Sequence, residues 1–377
     1  MSQVNTNAIY DASGGQSAQL YGVSMRYGGT NFVNRIINGD MRIDQRNAGA
    51  SVTPTASAYT LDRMQAVMTQ ASKYSVQQNA GSVTPPTGFK NYLGVTSASA
   101  YSVVSGDVFA IRQHVEGFNV ADLGWGAAGA ATVTLSFWVR SSLTGTFGGS
   151  LMNSAQDRAY PYSYTISAAN TWEQKTVTIA GDTTGTWLTT NGTGVMVNFG
   201  LGVGSTFSGT AGAWAASNIW APTGAVSVVG TSGATFYLTG VQLEAGSVAT
   251  PFERRPYGTE LALCQRYFEK SYNIGTAPGS AVTASRVTTA GNAGAVTTGY
   301  IEGYLGWKVN KRSAPTVTIY DMAGTSAKCT RLSTGIGTSD NQTVATSVEG
   351  ETGCAVFSSG SASGNCLQLH YTASSEL

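Results

Sequence analysis

Two segments of the sequence place aromatic rings beside polar side chains, a composition suited to sugar recognition. A sugar stacks its apolar C–H face on an aromatic ring, while its hydroxyl groups need fixed polar partners such as Asn, Asp, Gln or Arg. Residues 157–162 and residues 214–220 each combine both kinds of group. The alternative is that these rings pack against a neighbouring subunit or cap the fold. The carbohydrate-binding candidates are Asp157, Arg158, Tyr160, Tyr162, Trp214, Asn218 and Trp220.

Residues suited to catalysis are sparse. His114 and His370 are the only histidines, and each lies in an alternating segment, which favours a structural or surface role over that of a catalytic base. The sequence contains neither a GxSxG nucleophile motif nor an HExxH zinc motif. A glycosidase pair stays open, since its carboxylates meet only in the folded protein, although each acidic candidate is more simply a turn residue or a strand-end partner. These candidates are Asp157, Glu173, Asp182 and Glu244. We therefore predict that the protein is not an enzyme.

No metal, cofactor or disulfide is predicted. Carboxylates gathered in one loop can bind calcium, but the early aspartates lie beside arginines and are interpreted as surface or salt-bridged groups. The aspartates are Asp40, Asp44 and Asp62, and the arginines are Arg42, Arg46 and Arg63. The four cysteines show no metal-ligand spacing, and the alternative to free thiols is one bridge among the last three. They are Cys264, Cys329, Cys354 and Cys366.

The composition indicates a β-rich protein without a strongly charged partner. Only 11% of the 377 residues are charged and 47 are glycine, a profile typical of many short strands joined by tight turns. A formal net charge of +1 and the lack of a Lys/Arg cluster argue against nucleic-acid binding. The N-terminal sequence lacks a secretory signal, and no apolar run approaches the ~20 residues that a membrane helix needs. We therefore expect no membrane insertion.

Short alternating runs between residues 32 and 256 predict an antiparallel β sandwich. The predicted strands are residues 36–38, 66–68, 73–77, 92–95, 109–115, 131–140, 146–152, 160–166, 173–179, 195–203 and 236–243. The core candidates on the two clearest runs are Val133, Leu135, Phe137, Val139, Phe236, Leu238, Val241 and Leu243. Trp172 is predicted to be a core residue and Trp138 to cover a sheet edge or a neighbour, while the role of Trp187 stays open.

A short helix is predicted to join two β domains. Residues 259–268 place Leu261, Cys264, Tyr267 and Phe268 on one helix face. Strand patterning then returns in residues 299–309, 314–320 and 366–372. The first 31 residues hold too few apolar groups for a core of their own, so they are either a frayed tail or ordered against another protein. The predicted units are an N-terminal segment 1–31, a β-sandwich domain 32–256, a helical connector 257–271 and a C-terminal β domain 272–377.

Ordered motifs lie along most of the chain. Three of them follow one another closely: VQLEAGS at residues 241–247, ATPFE at 249–253 and CQRY at 264–267. Others are NGDM at 38–41, DQR at 44–46, YTLDR at 59–63, EG at 116–117, LSFWVR at 135–140, IAGDTTG at 179–185 and HYTASSEL at 370–377. In these motifs the chain resembles bacteriophage tail-fibre and receptor-binding proteins that contain a jelly-roll domain similar to carbohydrate-binding modules. The resemblance implies an all-β fold, in which an antiparallel jelly-roll sandwich is followed by a short helix and a second, C-terminal β-sandwich domain.

The resemblance also implies a function in host adhesion. It implies a homotrimer, whose subunit contacts would cover open sheet edges, and a host surface polysaccharide as the receptor. The N-terminal segment would attach to phage tail or other virion proteins, with Tyr10 and Tyr21 as anchors. Such a protein is made in the host cytoplasm and acts in the virion tail. The alternatives are a structural role without receptor contact, such as a capsid decoration or tail adaptor, and a polysaccharide depolymerase.

Overall fold

Strands dominate the chain, as the alternating patterns predict. The structure is a computed structural model that describes residues 17–20, 23–26, 33–289, 300–333, 337–359 and 366–377. Its first strands are β1 (Ser17–Leu20), β2 (Val23–Arg26), β3 (Ala58–Leu61), β4 (Met64–Met68), β5 (Tyr74–Gln78), β6 (Leu93–Ser97), β7 (Val108–Glu116), β8 (Val133–Ser141), β9 (Gly145–Met152), β10 (Ala159–Ile166), β11 (Glu173–Ile179), β12 (Thr193–Val203), β13 (Ser208–Gly209), β14 (Ala221–Pro222) and β15 (Thr235–Ala245).

The helix α1 (Tyr257–Gln265) separates these strands from the C-terminal ones. The latter are β16 (Phe268–Lys270), β17 (Val287–Thr288), β18 (Tyr300–Gly306), β19 (Thr316–Tyr320), β20 (Lys328–Ser333), β21 (Gly337–Thr343), β22 (Ala345–Ser347), β23 (Gly353–Ser359) and β24 (Cys366–Ser374). Short 3₁₀ turns span Ala80–Ser82, Gly117–Asn119, Ala121–Leu123 and Ser205–Phe207. Among the described residues, no helix is long and apolar enough to cross a membrane.

Two antiparallel sheets form the first sandwich. One sheet has the strand order β10-β9-β12-β7-β4-β3, and the other has the order β11-β8-β15-β6-β5. A continuous apolar core lies between them and includes Phe109, Phe137, Phe147, Phe199 and Phe236. Burial of these faces is the main favourable contribution to folding. The predicted all-β, antiparallel jelly-roll sandwich is therefore confirmed.

The C-terminal domain is a second, smaller sandwich, as predicted. Strand β24 pairs with β16, β17, β19 and β20, and β21 extends that sheet beyond β20. The second sheet has the order β18-β23-β22. Both contribute to one core, which contains Ile301, Leu305, Ile319, Cys329, Cys354, Val356, Leu367, Leu369, Tyr371 and Ala373.

Several strands differ from the sequence-based prediction. Residues 36–38 do not form a strand, because Asn38 adopts a left-handed conformation with φ of 60° and its amide donates to the carbonyls of Ile43 and Asp62. The sequence pattern does not predict β1 to β3, β13, β14, β16, β17 or β20 to β23. In β21 nearly every side chain is exposed, so its sequence GTSDNQT lacks the apolar alternation by which a half-buried strand is predicted.

A β-bulge explains how β15 keeps four apolar residues in the core. In a regular strand, Phe236 and Leu238 would face one side of the sheet, and Val241 and Leu243 would face the other. All four are nevertheless buried. The register against β8 shifts between Thr239 and Gln242, which adds a residue to β15 and restores the inward direction. Gly240 lies at this shift with φ of 61°, and a Cβ there would lie 2.7 Å from the Phe89 ring. The core prediction for this run is confirmed.

Polar side chains of β15 hold the loop that follows it. The buried Glu244 accepts hydrogen bonds from the backbone N–H of Thr250 at 2.8 Å and from its hydroxyl at 2.7 Å. Gln242 accepts from the backbone N–H of Glu253 at 2.8 Å, and Glu253 in turn accepts from the backbone N–H of Asn34 at 2.8 Å. Because these groups are satisfied within the protein, the motif VQLEAGS is explained by structure without a ligand.

A cluster of buried charges links the two sandwiches through the connector. Arg266 donates to the two carboxylate oxygens of Glu116 at 2.9 and 2.7 Å, and the Tyr267 hydroxyl donates to the same carboxylate at 2.6 Å. Arg63 donates to Glu376, and its guanidinium carbon lies 3.5 Å from the centre of the Tyr267 ring. We call Arg63, Glu116, Arg266, Tyr267 and Glu376 the charged joint. It contains residues from the first sandwich, the connector and the end of the second sandwich.

Further contacts extend the joint in both directions. Lys311 and Glu269 are fully buried, and the Lys311 ammonium lies 2.5 Å from the Glu269 carboxylate, which also accepts from Tyr371 at 2.7 Å. Arg312 donates to the carbonyl of Asn191 at 2.9 Å, in the connection between β11 and β12. The C-terminal sandwich thus contacts a loop of the first sandwich directly.

The helix lies close to its predicted position. Cys264 and Tyr267 are buried as predicted, and Leu261 is half-buried. The helix begins at Tyr257, and Phe268 belongs to β16 instead of the last helical turn, because the chain pairs with β24 from that residue onward.

We predict that Glu376→Gln lowers the free energy of unfolding by about 3–5 kcal/mol, since it leaves the guanidinium of Arg63 buried without its counter-charge. The Arg63 side chain is only 1% exposed. Urea unfolding monitored by circular dichroism measures this change.

Asp122→Asn is the matched control. It removes another Arg–carboxylate pair, Arg35–Asp122, whose carboxylate side chain is 58% exposed. Exposed pairs contribute about 0–1 kcal/mol. Equal losses in the two variants would show that the buried Arg63–Glu376 pair stabilises the fold no more than the exposed pair does.

Candidate functional site

Four aromatic side chains from distant parts of the sequence meet at one place on the first sandwich. The ring centroids of Trp125 and Trp187 are 4.7 Å apart, and that of Trp214 lies 5.4 Å from Trp125 and 5.3 Å from Trp187. Tyr160 lies 5.3 Å from Trp214. All four pairs are edge-to-face, the arrangement that aromatic quadrupoles favour. We call Trp125, Tyr160, Trp187 and Trp214 the aromatic cluster.

The aromatic cluster covers the edge of the core and keeps part of its surface exposed. All four rings are half-buried, and they pack against the main apolar core. Each indole N–H is used by a backbone carbonyl: Trp125 donates to Ala131 at 2.8 Å, Trp187 to Thr184 at 3.2 Å and Trp214 to Ala180 at 2.7 Å. The rings are therefore fixed in position by the protein itself.

Four connections between strands position the cluster: residues 117–132, 153–158, 180–192 and 204–234. Three of them carry Trp125, Trp187 and Trp214, whereas Tyr160 lies on β10 shortly after residues 153–158. The backbone N–H of Gly126 donates to the carbonyl of Asp182 at 2.7 Å, and the Asn153 amide donates to the carbonyl of Thr186 at 3.1 Å. Ala159 and Ala215 exchange backbone hydrogen bonds at 3.0 and 2.8 Å. Hydrogen bonds thus tie these connections to one another and to β10, which limits how far a ring can move.

An ion pair braces the loops beside the cluster. Arg158 donates from Nε and Nη2 to the two carboxylate oxygens of Asp182, both at 2.7 Å. Burial alone would raise the pKa of Asp182, but hydrogen bonds from Arg158 and Thr184 outweigh that effect and hold the pKa below its usual value. Asp157 is exposed at the rim, and one of its oxygens accepts from the Asn153 amide at 2.6 Å.

The structure divides the sequence-based candidates into two groups. Asp157, Arg158, Tyr160 and Trp214 lie together at the cluster. Tyr162 is only 1% exposed and donates its hydroxyl to the carbonyl of Asn198 at 2.7 Å, so its assignment as a sugar contact is corrected to that of a core residue.

Trp220 is likewise corrected to a buried residue. It is 5% exposed and covers the outer face of the six-stranded sheet together with Ala110, Met152 and Met196. The guanidinium carbon of Arg112 lies 4.6 Å from its ring centre. Asn218, two residues before Trp220, is half-buried and is not a member of the aromatic cluster. The attachment candidates Tyr10 and Tyr21 lie outside the described residues.

Two members of the cluster are not identified from the sequence. No sequence motif assigns Trp125, and the sequence leaves the role of Trp187 open. Both lie in glycine-rich connections, Trp125 in the run GWGAAGAA, the same composition that singled out Trp214. Gly126, with φ of 91°, would place a Cβ 3.3 Å from the Trp187 ring, so this glycine allows the two connections to approach.

The candidate catalytic groups are engaged in structural contacts. His114 is half-buried between Thr193 and Gln65, at 3.1 and 3.3 Å, and burial lowers its pKa to about 2. His370 is fully buried and stacks on Tyr272 with ring centroids 4.0 Å apart. Within the described part of the chain, no group of three or more His, Cys, Asp or Glu side chains is arranged to hold a metal ion.

Comparison with known proteins shows structural likeness only. No family model and no curated protein matches the sequence. Among solved structures, the enzymatically active domain of tailspike protein 4 of bacteriophage CBA120 is 13% identical with a TM-score of 0.30, and the match covers 58% of this chain and 22% of that one.

Two matches are to sugar-binding domains. The N-terminal cellulose-binding domain of Cellulomonas fimi β-1,4-glucanase C is 15% identical with a TM-score of 0.21, covering 42% of this chain and 80% of that one. A family 11 carbohydrate-binding module from Clostridium thermocellum is 10% identical with a TM-score of 0.26, covering 52% and 97%. At these TM-scores the likeness carries no argument about the ligand or assembly of this chain.

We predict that Gly185→Ala disturbs the brace beside the cluster and lowers the free energy of unfolding by about 2–3 kcal/mol. The residue has φ of 79°, and its Cβ would lie 2.6 Å from Cγ of Arg158. The cost combines about 1 kcal/mol of left-handed strain with about 1–2 kcal/mol from the weakened Arg158–Asp182 hydrogen bonds. Urea unfolding measures the loss, and tryptophan fluorescence reports the change around Trp187.

Gly129→Ala provides the control in the neighbouring connection, because Gly129 has φ of 86° but open space around its Cβ position. This variant should lower the free energy of unfolding only by the strain contribution of about 1 kcal/mol. Its tryptophan fluorescence should be unchanged. If both variants behave alike, the Arg158–Asp182 pair does not position the cluster.

Proposed function

We propose that this protein is a bacteriophage tail-fibre protein that adheres to host cell-surface polysaccharide, and that the aromatic cluster contacts the sugar. The observation that carries the proposal is the meeting of four half-exposed aromatic rings, three from separate connections and Tyr160 from β10, with the polar groups of Asp157 and Arg158 beside them. The phage setting rests on the resemblance of the sequence motifs.

The fixed position of the rings favours this use. A ring face can stack on the C–H face of a sugar, and a ligand that meets fixed rings does not have to overcome the entropy of ordering them. The indole N–H groups are already occupied by backbone carbonyls, so the available ring surface is apolar. Asp157 and the Arg158–Asp182 pair supply polar partners at the rim for hydroxyl groups.

Weak sites suffice if several act together. A shallow sugar site with a dissociation constant near 1 mM contributes only about 4 kcal/mol. Three copies in a homotrimer, and several fibres on a particle, raise avidity by ~10² to 10⁴ without new contacts. We propose this homotrimer, attached to the virion tail through the N-terminal segment, as the functional assembly.

We propose further that the protein binds without turnover. The carboxylates considered for a glycosidase pair are all engaged: Asp182 with Arg158, Glu173 with Lys175, Glu244 with Thr250 and Asp157 with Asn153. These contacts account for the four side chains without assigning them catalytic roles.

The test is binding of purified protein to an array of bacterial surface polysaccharides. Wild-type protein should bind at least one of them, and Trp214→Ala should weaken that binding at least tenfold, since a central aromatic contact contributes about 1.4 kcal/mol or more. Release of reducing ends during the incubation would contradict the proposal that the protein acts without turnover.

Trp172→Ala is the matched control. Trp172 is also half-buried, donates its indole N–H to the carbonyl of Thr84 at 2.9 Å and packs on Tyr92 with ring centroids 5.5 Å apart, away from the cluster. Trp172→Ala should lose about as much stability as Trp214→Ala does, and it should still bind the polysaccharide. If the array shows no binding by the folded wild-type protein, the proposal fails and a structural role without receptor contact takes its place.

A further inference from the structure

We infer that the aromatic cluster selects neutral polysaccharides and discriminates against acidic ones. This inference rests on the proposed function, because it names the ligand class of the same site. Its basis is the charge of the four connections that position the cluster. Together they contain three carboxylates and one guanidinium, and the longest connection, residues 204–234, contains no charged residue.

The single cation in these connections is committed within the protein. Both Nε and Nη2 of Arg158 donate to Asp182 at 2.7 Å, with the Asp182 side chain only 2% exposed. A carboxylate of an acidic sugar would have to displace this buried partner to gain the paired hydrogen bonds that arginine offers. On the adjoining strand β11, Lys175 is likewise paired, at 2.5 Å from Glu173.

The surplus charge at the cluster is negative. Asp122 is paired with Arg35 at 2.5 Å, and Asp182 is paired with Arg158, which leaves Asp157. Asp157 is exposed. The Asn153 amide donates a hydrogen bond to it, but this neutral group does not cancel the negative charge of the carboxylate. A ligand carboxylate near this rim meets a like charge.

A neutral sugar meets a complementary surface instead. Asp157 has acceptor capacity left for sugar hydroxyl groups, and the rings offer apolar faces for C–H groups. No desolvation of a ligand charge is required. Amino sugars in their acetylated form belong to the same neutral class.

The experiment compares polymers that share a backbone and differ in charge. Full-length protein is run in native gels containing dextran or carboxymethyl dextran, hydroxyethylcellulose or carboxymethylcellulose, and amylose or carboxymethyl amylose. We expect retardation by at least one neutral polymer, with retardation by its carboxymethylated partner weaker by roughly two- to fivefold in affinity. The difference should shrink as salt is added, because exposed charges are screened.

Asp157→Asn should reduce the difference within that pair, whereas Asp122→Asn, which alters a carboxylate already paired with Arg35, should preserve it. Equal or stronger retardation by the carboxymethylated polymer overturns the inference and leaves the proposed function standing. An unchanged difference in Asp157→Asn overturns the role of that carboxylate. Retardation by no polymer here, together with no binding on the polysaccharide array, removes the proposed function itself.

Discussion

Charged side chains paired around the connector hold the two sandwiches to each other. Glu116 is 1% exposed and accepts from both Arg266 and Tyr267, while Arg63 lies between the Tyr267 ring and Glu376. Taking such charges out of water costs several kcal/mol for each ion unless the geometry of the partners is good. A change of angle between the sandwiches would leave these charges without partners, so the joint fixes how the two sandwiches meet.

This constraint reaches the proposed binding surface. Glu116 ends β7 and is followed directly by the connection that carries Trp125. Arg312 of the C-terminal sandwich donates to the carbonyl of Asn191, in the connection that carries Trp187. The connector and the C-terminal sandwich therefore support two of the three connections that carry tryptophans of the aromatic cluster. Charged groups are concentrated where the domains join, and the surface proposed for recognition depends mainly on aromatic rings.

The alternating sequence pattern predicts which face of a strand points into the sandwich. It does not predict which residues of that face stay exposed near the end of a strand. Tyr160 and Tyr162 share one face of β10, as alternation requires. Tyr162 lies further along the strand, where it is buried and its hydroxyl donates to Asn198 of β12, whereas Tyr160 is near the strand end and stays half-exposed. No local pattern distinguishes these positions. The cluster itself joins Trp125, Trp187 and Trp214 across nearly ninety residues, a proximity that depends on the whole sandwich. Several motifs, by contrast, contain residues of the charged joint, or Gln242 and Glu244, which hold the loop after β15 through specific hydrogen bonds.

Binding of sugar at the aromatic cluster can be tested with the seven tryptophans of the chain. Protein labelled with 5-fluorotryptophan gives one fluorine resonance for each, assigned by single Trp→Phe variants, and is titrated with the polysaccharide that binds most tightly. We expect the resonances of Trp125, Trp187 and Trp214 to shift, with those of Trp138, Trp172, Trp220 and Trp307 unchanged. Saturable shifts confined to the second group, with the first group unchanged, would show that the sugar binds elsewhere on the protein.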